Sequence, residues 1–375
     1  MKKILFIEDK DQEINLFRNL FKENKDIKFD CITPDLIGKY LAENKDSLPC
    51  LFLVDYYLID NKTSNDSFDL FGGGIFNHLR HYFKEYPIIL FSRYQITNKS
   101  LIDMFDYYIS KEKLTENLQK YTGILIDIIE TFQDLRKIQD RSRNKLFNLL
   151  DIHNTSEEDD IISSALPLSS REWLSKFSDK QLSEPNIDEL DEWNIPDLLK
   201  WIDRILFAYP GILYDSIHAA THLRLSENDF KNEKIQKLFQ KAKYNGIFKG
   251  LEEHWWKGRL EEIAFAFLKN NDMKIDLDYF PDAIEKKNQI KLEKSICVCC
   301  GKDKANTICY VLKKPTQYEH SLQYYPDNRP GVMEIARVSY QAILDGNKYN
   351  PNYIRTGFEI IRDIIQIMKK IRDER

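Results

Sequence analysis

The sequence has no long hydrophobic run and no excess of basic residues. No segment approaches the ~20 uncharged apolar residues of a membrane-spanning helix. The apolar residues after Met1 meet Glu8 and Asp9 too early to form the hydrophobic region of a signal peptide. Lys and Arg number 55 against 60 Asp and Glu, with a net charge of −5 and a pI near 5.9, so no overall basic field attracts nucleic acid or an anionic membrane. We therefore expect a cytoplasmic protein that does not span a membrane and for which nucleic acid is an unfavoured partner.

Cysteine is also scarce, with six residues in 375, which is too few for a disulfide framework. Cys31 and Cys50 stand alone, and the other four lie between positions 297 and 309. Hydrophobic residues make up 42% of the chain, so it is apolar enough to fold, and its length favours two or three domains.

Residues 1–125 alternate short apolar runs with amphipathic segments, a pattern typical of a parallel sheet covered by helices. The expected helices are 11–24, 34–44 and 69–83. The expected strands are Ile4–Ile7, 28–32, Cys50–Val54, Pro87–Phe91 and Tyr107–Ser110.

Polar residues follow these strands directly, at the edge of the sheet where ligands gather in open parallel folds. They are Glu8 and Asp9, Asp55, Ser92 and Lys111, in chain order. Three carboxylates brought together need a compensating cation, and oxygen ligands favour Mg²⁺. A carboxylate beside that metal is able to attack a phosphoryl donor, while a lysine and a hydroxyl hold the phosphoryl oxygens.

With these residues in this order, residues 1–125 resemble the receiver domain of two-component response regulators. The resemblance implies a flavodoxin-like, doubly wound, five-stranded parallel sheet, Mg²⁺ as cofactor and a histidine kinase as partner. It implies that Asp55 accepts the phosphoryl group and that Ser92 and Lys111 bind it. The other roles that it implies are metal binding by Glu8, Asp9 and the backbone carbonyl of Tyr57, and an aromatic switch at Tyr108.

Three features depart from the family pattern and leave open whether the phosphorylation site is active. Glu112 follows the lysine where the family has proline, and Arg93 follows Ser92 where a small residue is usual. The polar insertion Asn61–Ser67 lies shortly after Asp55.

Apolar positions keep helical spacing from 113 to 150, which predicts one long connecting helix. Such a helix either pairs with its copy in a homodimer or packs against its own C-terminal domain. The acidic segment 154–160 is the best linker candidate, and residues 160–375 are expected to form a mainly α-helical domain with a small β-hairpin. The expected helices are 187–208, 211–225, 230–248, 251–270 and 353–373, and the hairpin strands are 290–292 and 307–311, flanking Gly301.

Two motifs in this second domain have metal-ligand spacing. Cys297 and Cys300 form Cys-x-x-Cys before Gly301, and Cys309 and His320 are candidates to complete a Zn²⁺ site. The competing interpretation is that the cysteines are small buried residues at a hairpin. His218 and His222 lie one helical turn apart but lack the intervening glutamate of a zinc protease, which favours ordinary surface or capping histidines. The tryptophans around 255–256 are expected to lie in the core or at a domain interface.

These observations favour a response regulator that takes a phosphoryl group on Asp55 and transmits the change to a C-terminal output domain acting on an unidentified protein target. One alternative is a phosphoryl sink or partner-binding module without a conventional output. Another is an enzyme with its active site in the C-terminal domain, although no catalytic motif is recognised there.

Overall fold

A computed structural model describes the chain except for residues 46, 57, 59–71, 94–103, 138–147, 155–194, 196–201, 208–209, 304, 326–333, 347–353, 355–363, 365 and 371–375. The chain folds into two compact units. The first comprises Met1–Leu149 and Pro167–Trp201, and the second comprises Leu150–Leu166 and Ile202–Arg375.

The first unit is built on a five-stranded parallel sheet in the order β2-β1-β3-β4-β5. Its strands are β1 (Lys2–Ile7), β2 (Ile27–Ile32), β3 (Leu51–Asp55), β4 (Ile88–Ser92) and β5 (Tyr107–Ser110). The strands β3 and β4 are buried throughout, as expected for central strands with both faces covered. The 2-1-3-4-5 order confirms the predicted doubly wound, flavodoxin-like fold.

Helices cover both faces of this sheet. They are α1 (Asp11–Phe21), α2 (Ile37–Glu43), which follows a 3₁₀ turn at Pro34–Leu36, and α3 (Gly72–Tyr82). On one face Phe17 of α1 packs edge-on against Phe6 and Phe91, with ring centroids 5.4 and 5.0 Å away. On the other face Leu79 of α3 joins a core that includes Phe52 and Leu90. These two cores hold neighbouring strands in register, so the residues that follow the strands share one edge.

The single long helix expected over 113–150 is interrupted at Asn117. The structure has α4 (Lys111–Glu116) and then α5 (Leu118–Lys137), and residues 138–147 lie outside the described part of the chain. Asn117 adopts φ −141° and ψ 70°, outside the helical region, and its Oδ1 accepts a hydrogen bond from the Lys120 backbone at 3.1 Å. An asparagine that caps a helix in this way competes with continuation of the preceding one, which explains the break.

The helix α5 packs beneath its own sheet. Glu130 forms an ion pair with Lys2 at 2.6 Å, and the Arg136 guanidinium lies 4.2 Å from the ring centroid of Tyr86. Residues of one face of α5, including Ile128 and Phe132, are buried. The apolar face of α5 is therefore buried within the first unit. The same apolar spacing had two alternative interpretations from the sequence, a homodimer surface and a surface packed against the C-terminal domain.

The second unit combines short helices with two small sheets, which confirms the expected class although not each element. Its helices are α6 (Ser216–His222), α7 (Glu227–Phe230), α8 (Glu233–Leu238), α9 (Lys257–Asn270), α10 (Phe280–Asn288) and α11 (Tyr340–Leu344). Its strands are β6 (Leu213–Tyr214), β7 (Trp255–Trp256), β8 (Thr307–Cys309), β9 (Lys314–Thr316), β10 (Ser321–Gln323) and β11 (Arg337–Ser339). Strands β6 and β7 pair antiparallel, and the other four form a mixed sheet in the order β10-β11-β8-β9.

Several expected elements of this unit are wrong in detail. Residues 290–292 form no strand, and the hairpin is instead β8–β9, joined through residues 310–313. The expected helix 230–248 is divided into α7, α8 and a 3₁₀ turn at Gln240–Ala242. Most of the expected helices 187–208 and 353–373 lies outside the described residues.

The aromatic residues of the second unit belong to its core. Trp255 and Trp256 are nearly fully buried in β7, and Trp255 packs edge-on against Phe230 at 5.0 Å between centroids. This agrees with the core interpretation of the tryptophans. Among the helices of the described ranges, none combines the length and apolar character needed to cross a membrane.

Candidate functional site

The polar residues that follow the strands of the first unit lie at one edge of its sheet. Asp55 ends β3 and Ser92 ends β4, and the parallel register pairs Asp55 with Phe91, the residue before Ser92. Lys111 begins α4 directly after β5, where Ser110 pairs with Ser92. Asp55, Ser92 and Lys111 are all less than 5% exposed. The topology thus brings three of the predicted residues into one buried site.

Lys111 is the central cation of this site. Its Nζ lies 2.7 Å from Asp55 Oδ1 and donates a hydrogen bond to Glu8 Oε2. The ammonium also lies 5.2 Å from the ring centroid of Phe6 and 5.7 Å from that of Phe91. One lysine therefore contacts carboxylates at the ends of two adjacent strands, and its ammonium group lies near two phenylalanine rings.

Burial raises the pKa of Asp55, and the charge of Glu8 raises it further, although Lys111 opposes both effects. Burial likewise raises the pKa of Glu8, opposed by Lys111 and reinforced by the neighbouring carboxyl of Asp9. The other oxygen of Glu8 accepts hydrogen bonds from the backbone N–H groups of Asp9 and Lys10 at 3.0 and 3.1 Å. The site therefore holds more negative charge than its lysine compensates.

Glu13, on α1, is a site residue that the strand-end pattern missed. Its Oε2 lies 3.9 Å from Lys111 Nζ, and its Oε1 accepts a hydrogen bond from Arg93 Nη2 at 2.5 Å. Arg93, one of the departures from the family pattern, is thus bound to a carboxylate. The signal that was available is a glutamate in the first turn of the helix that follows Glu8 and Asp9.

The donor set at this edge fits a divalent cation. Asp9 Oδ1 and Glu13 Oε2 are buried oxygens that make no hydrogen bond. Buried carboxylate oxygens without donors are costly unless a cation binds them. Three carboxylates, of Glu8, Glu13 and Asp55, contact the buried Lys111, and carboxylates are the ligands that Mg²⁺ prefers.

Of the other features predicted for the site, the structure describes Tyr108 and Glu112. Tyr108 is half-buried in β5 and packs against the core that contains Leu90, and burial raises the pKa of its hydroxyl. Glu112 is exposed in the first turn of α4, and the described residues contain no cis peptide bond. Tyr57 and the insertion 61–67 lie outside the described residues.

Three of the four predicted zinc ligands lie together in the second unit. One ligand atom from each of Cys297, Cys300 and His320 lies within 4.8 Å of the others. Cys309 is outside this group because its Sγ is held elsewhere, where it accepts hydrogen bonds from the backbone N–H groups of Leu312 and Ser339 at 3.4 and 3.3 Å.

The histidine pair is occupied by carboxylates rather than arranged around a metal. His218 Nδ1 lies 2.7 Å from Asp215 Oδ1, and His222 Nε2 lies 2.9 Å from Glu261 Oε1. Both histidines line a polar cavity of about 150 Å³ in the second unit. The charged residues of its wall are Arg224, Lys257, Glu334 and Arg337, in addition to the two histidines.

Part of this chain is similar to solved structures of response regulators. No family model and no curated protein matches the chain. The response regulator TrrA from Thermotoga maritima, in complex with Mg²⁺-BeF, is 20% identical over 32% of this chain and 98% of its own, with a TM-score of 0.24. A response regulator receiver domain protein from Clostridium thermocellum is 15% identical over 37% of this chain and 98% of its own, with a TM-score of 0.27.

RcsB from Salmonella enterica serovar Typhimurium, bound to promoter rprA in the presence of phosphomimetic BeF3-, is 12% identical over 54% of this chain and 99% of its own, with a TM-score of 0.24. The first unit is similar in fold to response regulator receiver domains, and its own strand order carries that assignment. These distant likenesses are to a fold and assign no chemistry.

Proposed function

We propose that this chain is a response regulator in which a histidine kinase transfers a phosphoryl group to Asp55 with Mg²⁺. The observation that supports this best is the buried contact between Lys111 Nζ and Asp55 Oδ1, 2.7 Å apart, at the edge of the sheet where Ser92 ends β4. Nucleophile, cation and hydroxyl are the three parts that phosphoryl transfer to a carboxylate requires.

Asp55 acts as the nucleophile. One of its carboxylate oxygens attacks the phosphorus of the kinase phosphohistidine, a P–O bond forms, and the P–N bond breaks with the imidazole as leaving group. Glu8, Asp9 and Asp55 would hold the Mg²⁺ ion, which would neutralise charge on the phosphoryl oxygens. Lys111 exchanges its contact with the Asp55 carboxylate for a phosphoryl oxygen, and the Ser92 hydroxyl donates to another.

Phosphorylation is then signalled to the rest of the chain because Lys111 loses its contact with the Asp55 carboxylate. Once Lys111 and Ser92 bind the phosphoryl group, the ends of β4 and β5 favour a different arrangement, in which Tyr108 takes part. The second unit serves as the output and acts on a protein target. A phosphorylated chain that drains the kinase without altering any target would instead favour the phosphoryl sink.

Intact-mass analysis tests the phosphorylation step. The wild-type chain, incubated with Mg²⁺ and acetyl phosphate or with candidate kinases, is expected to gain one phosphoryl group. Asp55→Asn is expected to gain none, whereas Asp35→Asn, which changes an exposed aspartate of the same unit, behaves as wild type. Absence of an adduct from every donor, or an adduct on Asp55→Asn, would contradict the proposal.

A second candidate function concerns the cavity of the second unit, which we propose binds a small organic anion. Three permanent cations, Arg224, Lys257 and Arg337, line it against the single carboxylate of Glu334. Glu334 Oε1 is already bound by Lys257 Nζ at 2.7 Å and by the Tyr214 hydroxyl. Arg224 is likewise paired with Asp278, at 2.6 Å. The Arg337 guanidinium, among the described residues, bonds to oxygens of Ser321 and Tyr318 and to no carboxylate, so its charge favours an anionic ligand and supports the interpretation of the second unit as a ligand-binding or catalytic domain.

Thermal shift and calorimetry with phosphate, dicarboxylates and nucleotides test this candidate. We expect one of these classes to stabilise the wild-type second unit and Lys257→Met to weaken binding by about tenfold, consistent with the loss of a charge-assisted contact. Lys241→Met, which removes an exposed lysine of the same unit, is the matched control. Equal binding by both variants would place the anion elsewhere.

A further inference from the structure

Cys297, Cys300 and His320 form a compact set of metal-ligating groups in the second unit. Both thiols are buried, at 1% and 3% exposure, and His320 is half-buried on a 3₁₀ turn before β10. Cys297 Sγ lies 3.5 Å from His320 Nδ1. A tetrahedral zinc ion with ordinary Zn–S and Zn–N bonds would place a sulfur and a nitrogen ligand ~3.6 Å apart. The observed separation is that of a hydrogen bond between the two groups, and it equally fits two ligands of one ion.

The backbone of the cysteine loop has the shape needed to turn two thiols toward one point. The Gly301 N–H donates to the Cys297 carbonyl at 2.8 Å, and the Cys297 N–H donates to the Lys302 carbonyl at 2.9 Å. Gly301 has φ +71°, a conformation that glycine adopts without strain. The loop is also anchored to β9 through the Val298 N–H and the Pro315 carbonyl, 2.9 Å apart.

We propose that Cys297, Cys300 and His320 bind one Zn²⁺ ion. The ion joins the loop before β8 to the turn before β10, two segments of a mixed sheet whose strands are only three residues long. Strands this short form a stable sheet only with additional support, which a structural metal supplies. The site therefore has a structural role in the second unit.

The electrostatic environment of the thiols is consistent with metal binding. A hydrogen bond from Cys299, together with one from His320, lowers the pKa of Cys297 to about 3 against the effect of burial. The same bond raises the pKa of Cys299.

A structural zinc site has four ligands, and two further cysteines of the same buried cluster are candidates for the fourth. Cys299 Sγ donates to the His320 carbonyl at 3.5 Å. Cys309 Sγ accepts two backbone hydrogen bonds, from Leu312 and Ser339. Recruitment of Cys309 requires a change of its side chain from its present contacts.

Metal analysis of the full chain tests the proposal. Protein prepared under reducing conditions, loaded with Zn²⁺ and desalted is expected to retain about one zinc ion per chain. Cys300→Ser and His320→Ala are expected to bind zinc at least tenfold more weakly. Cys50→Ser and His78→Ala change a cysteine and an exposed histidine of the first unit and are expected to retain the ion. Weaker binding in Cys299→Ser or Cys309→Ser would identify the fourth ligand and support the proposal.

Cobalt substitution of the wild-type chain keeps the test independent of variants that fail to fold. Co²⁺ bound by two thiolates is expected to give an intense sulfur-to-metal charge-transfer absorption that one equivalent of Zn²⁺ abolishes. Wild-type protein that retains no zinc and gives no such band would overturn the proposal. Zinc retained undiminished by Cys300→Ser and His320→Ala, or a Cys297–Cys300 disulfide in the purified chain that excludes metal, would overturn it equally.

Discussion

Lys111 Nζ lies 2.7 Å from Asp55 Oδ1, and both side chains are only 5% exposed. The same ammonium binds Glu8, so one cation compensates two carboxylates that belong to adjacent strands. Because the pair is buried, its energy depends strongly on whether each charge keeps a partner. The site is therefore a place where charge, metal binding and stability are coupled.

Replacement of Lys111 by methionine should reveal this coupling. The change leaves two carboxylates buried without their cation, and we expect it to lower the unfolding free energy of the first unit by about 3 kcal/mol at neutral pH without Mg²⁺. Mg²⁺ should restore part of the loss. Urea unfolding followed by circular dichroism measures both effects, with Lys113→Met, an exposed lysine of the same helix, as the control. Equal stability of the two variants would show that the ammonium does not support the fold.

Mg²⁺ should stabilise the first unit in a pH-dependent manner. Burial raises the pKa of Asp55 and of Glu8 above their unfolded values, so protonation of these groups favours the native state. That contribution is complete below the unfolded pKa values near 4 and is lost as pH rises through the folded ones. The metal-free unit is consequently weakened at neutral pH, where the ionised carboxylates bind Mg²⁺ best.

Melting temperatures with and without millimolar Mg²⁺ test this expectation. The stabilisation by Mg²⁺ should be largest where the carboxylates are ionised and should shrink as pH falls through their raised folded pKa values, because the carboxylates then bind protons instead. In Asp55→Asn it should be smaller at every pH. A shift that is independent of pH, or unchanged by Asp55→Asn, would mean that the cation binds at another place.

The first unit was predictable because its signals are local. The apolar runs at Ile4–Ile7 and Pro87–Phe91 mark buried strands within one or two residues of their observed bounds, and a parallel sheet brings the residues after them to one edge. The sequence does not identify Glu13 as a site residue, because its position on a helix resembles that of any exposed residue in a first turn. Only the packing of α1 against the sheet turns its carboxylate toward Lys111.

The second unit was less predictable because long-range pairing determines its elements. Trp255 and Trp256 were assigned to a helix, but they pair with Tyr214 and Leu213, about forty residues earlier in the chain. Such pairing overrides local propensity. The break at Asn117 has a different cause. Its capping hydrogen bond interrupts the helix, although the apolar pattern of the sequence continues unchanged through the break.

Asp106 should be a second determinant of stability in the first unit. Its Oδ2 accepts hydrogen bonds from Arg80 Nη2 at 2.5 Å and from the Ile88 backbone at 2.7 Å, which joins α3, β4 and the start of β5. Asp106→Ala leaves the Ile88 N–H without its acceptor and removes the only carboxylate paired with Arg80 among the described residues, although Arg80 Nη1 keeps three carbonyl acceptors. We expect a loss of about 3 kcal/mol in urea unfolding. Asp134→Ala removes an exposed partner of Lys137 and should change stability by less than about 0.5 kcal/mol. A small loss in Asp106→Ala would indicate that solvent replaces the carboxylate.

Asp151 provides the corresponding test in the second unit. Its Oδ2 accepts hydrogen bonds from Trp256 Nε1 at 3.1 Å, from Arg259 Nη1 at 3.1 Å and from the Asn245 backbone at 3.2 Å. Burial acts to raise the pKa of Asp151, but hydrogen bonds from His153, Trp256 and Asn245 and the charge of Arg259 outweigh it, so the pKa is lowered. The stabilisation is therefore present above the unfolded pKa near 4 and is lost as pH falls through the folded pKa.

The variant Asp151→Asn tests the contribution of the side-chain charge without a change in backbone conformation. Asp151 has φ 58°, which asparagine adopts readily, so Asp151→Asn removes the charge without new strain. We expect a loss of about 2 kcal/mol at neutral pH, consistent with hydrogen bonds to a charged acceptor, and convergence with wild type as pH falls below about 4. Asp272→Asn, at an exposed aspartate with φ 51°, is the matched control and should be neutral. A difference between wild type and Asp151→Asn that persists in acid would assign the effect to side-chain geometry, because the carboxylate would by then be protonated in both the native and the unfolded state.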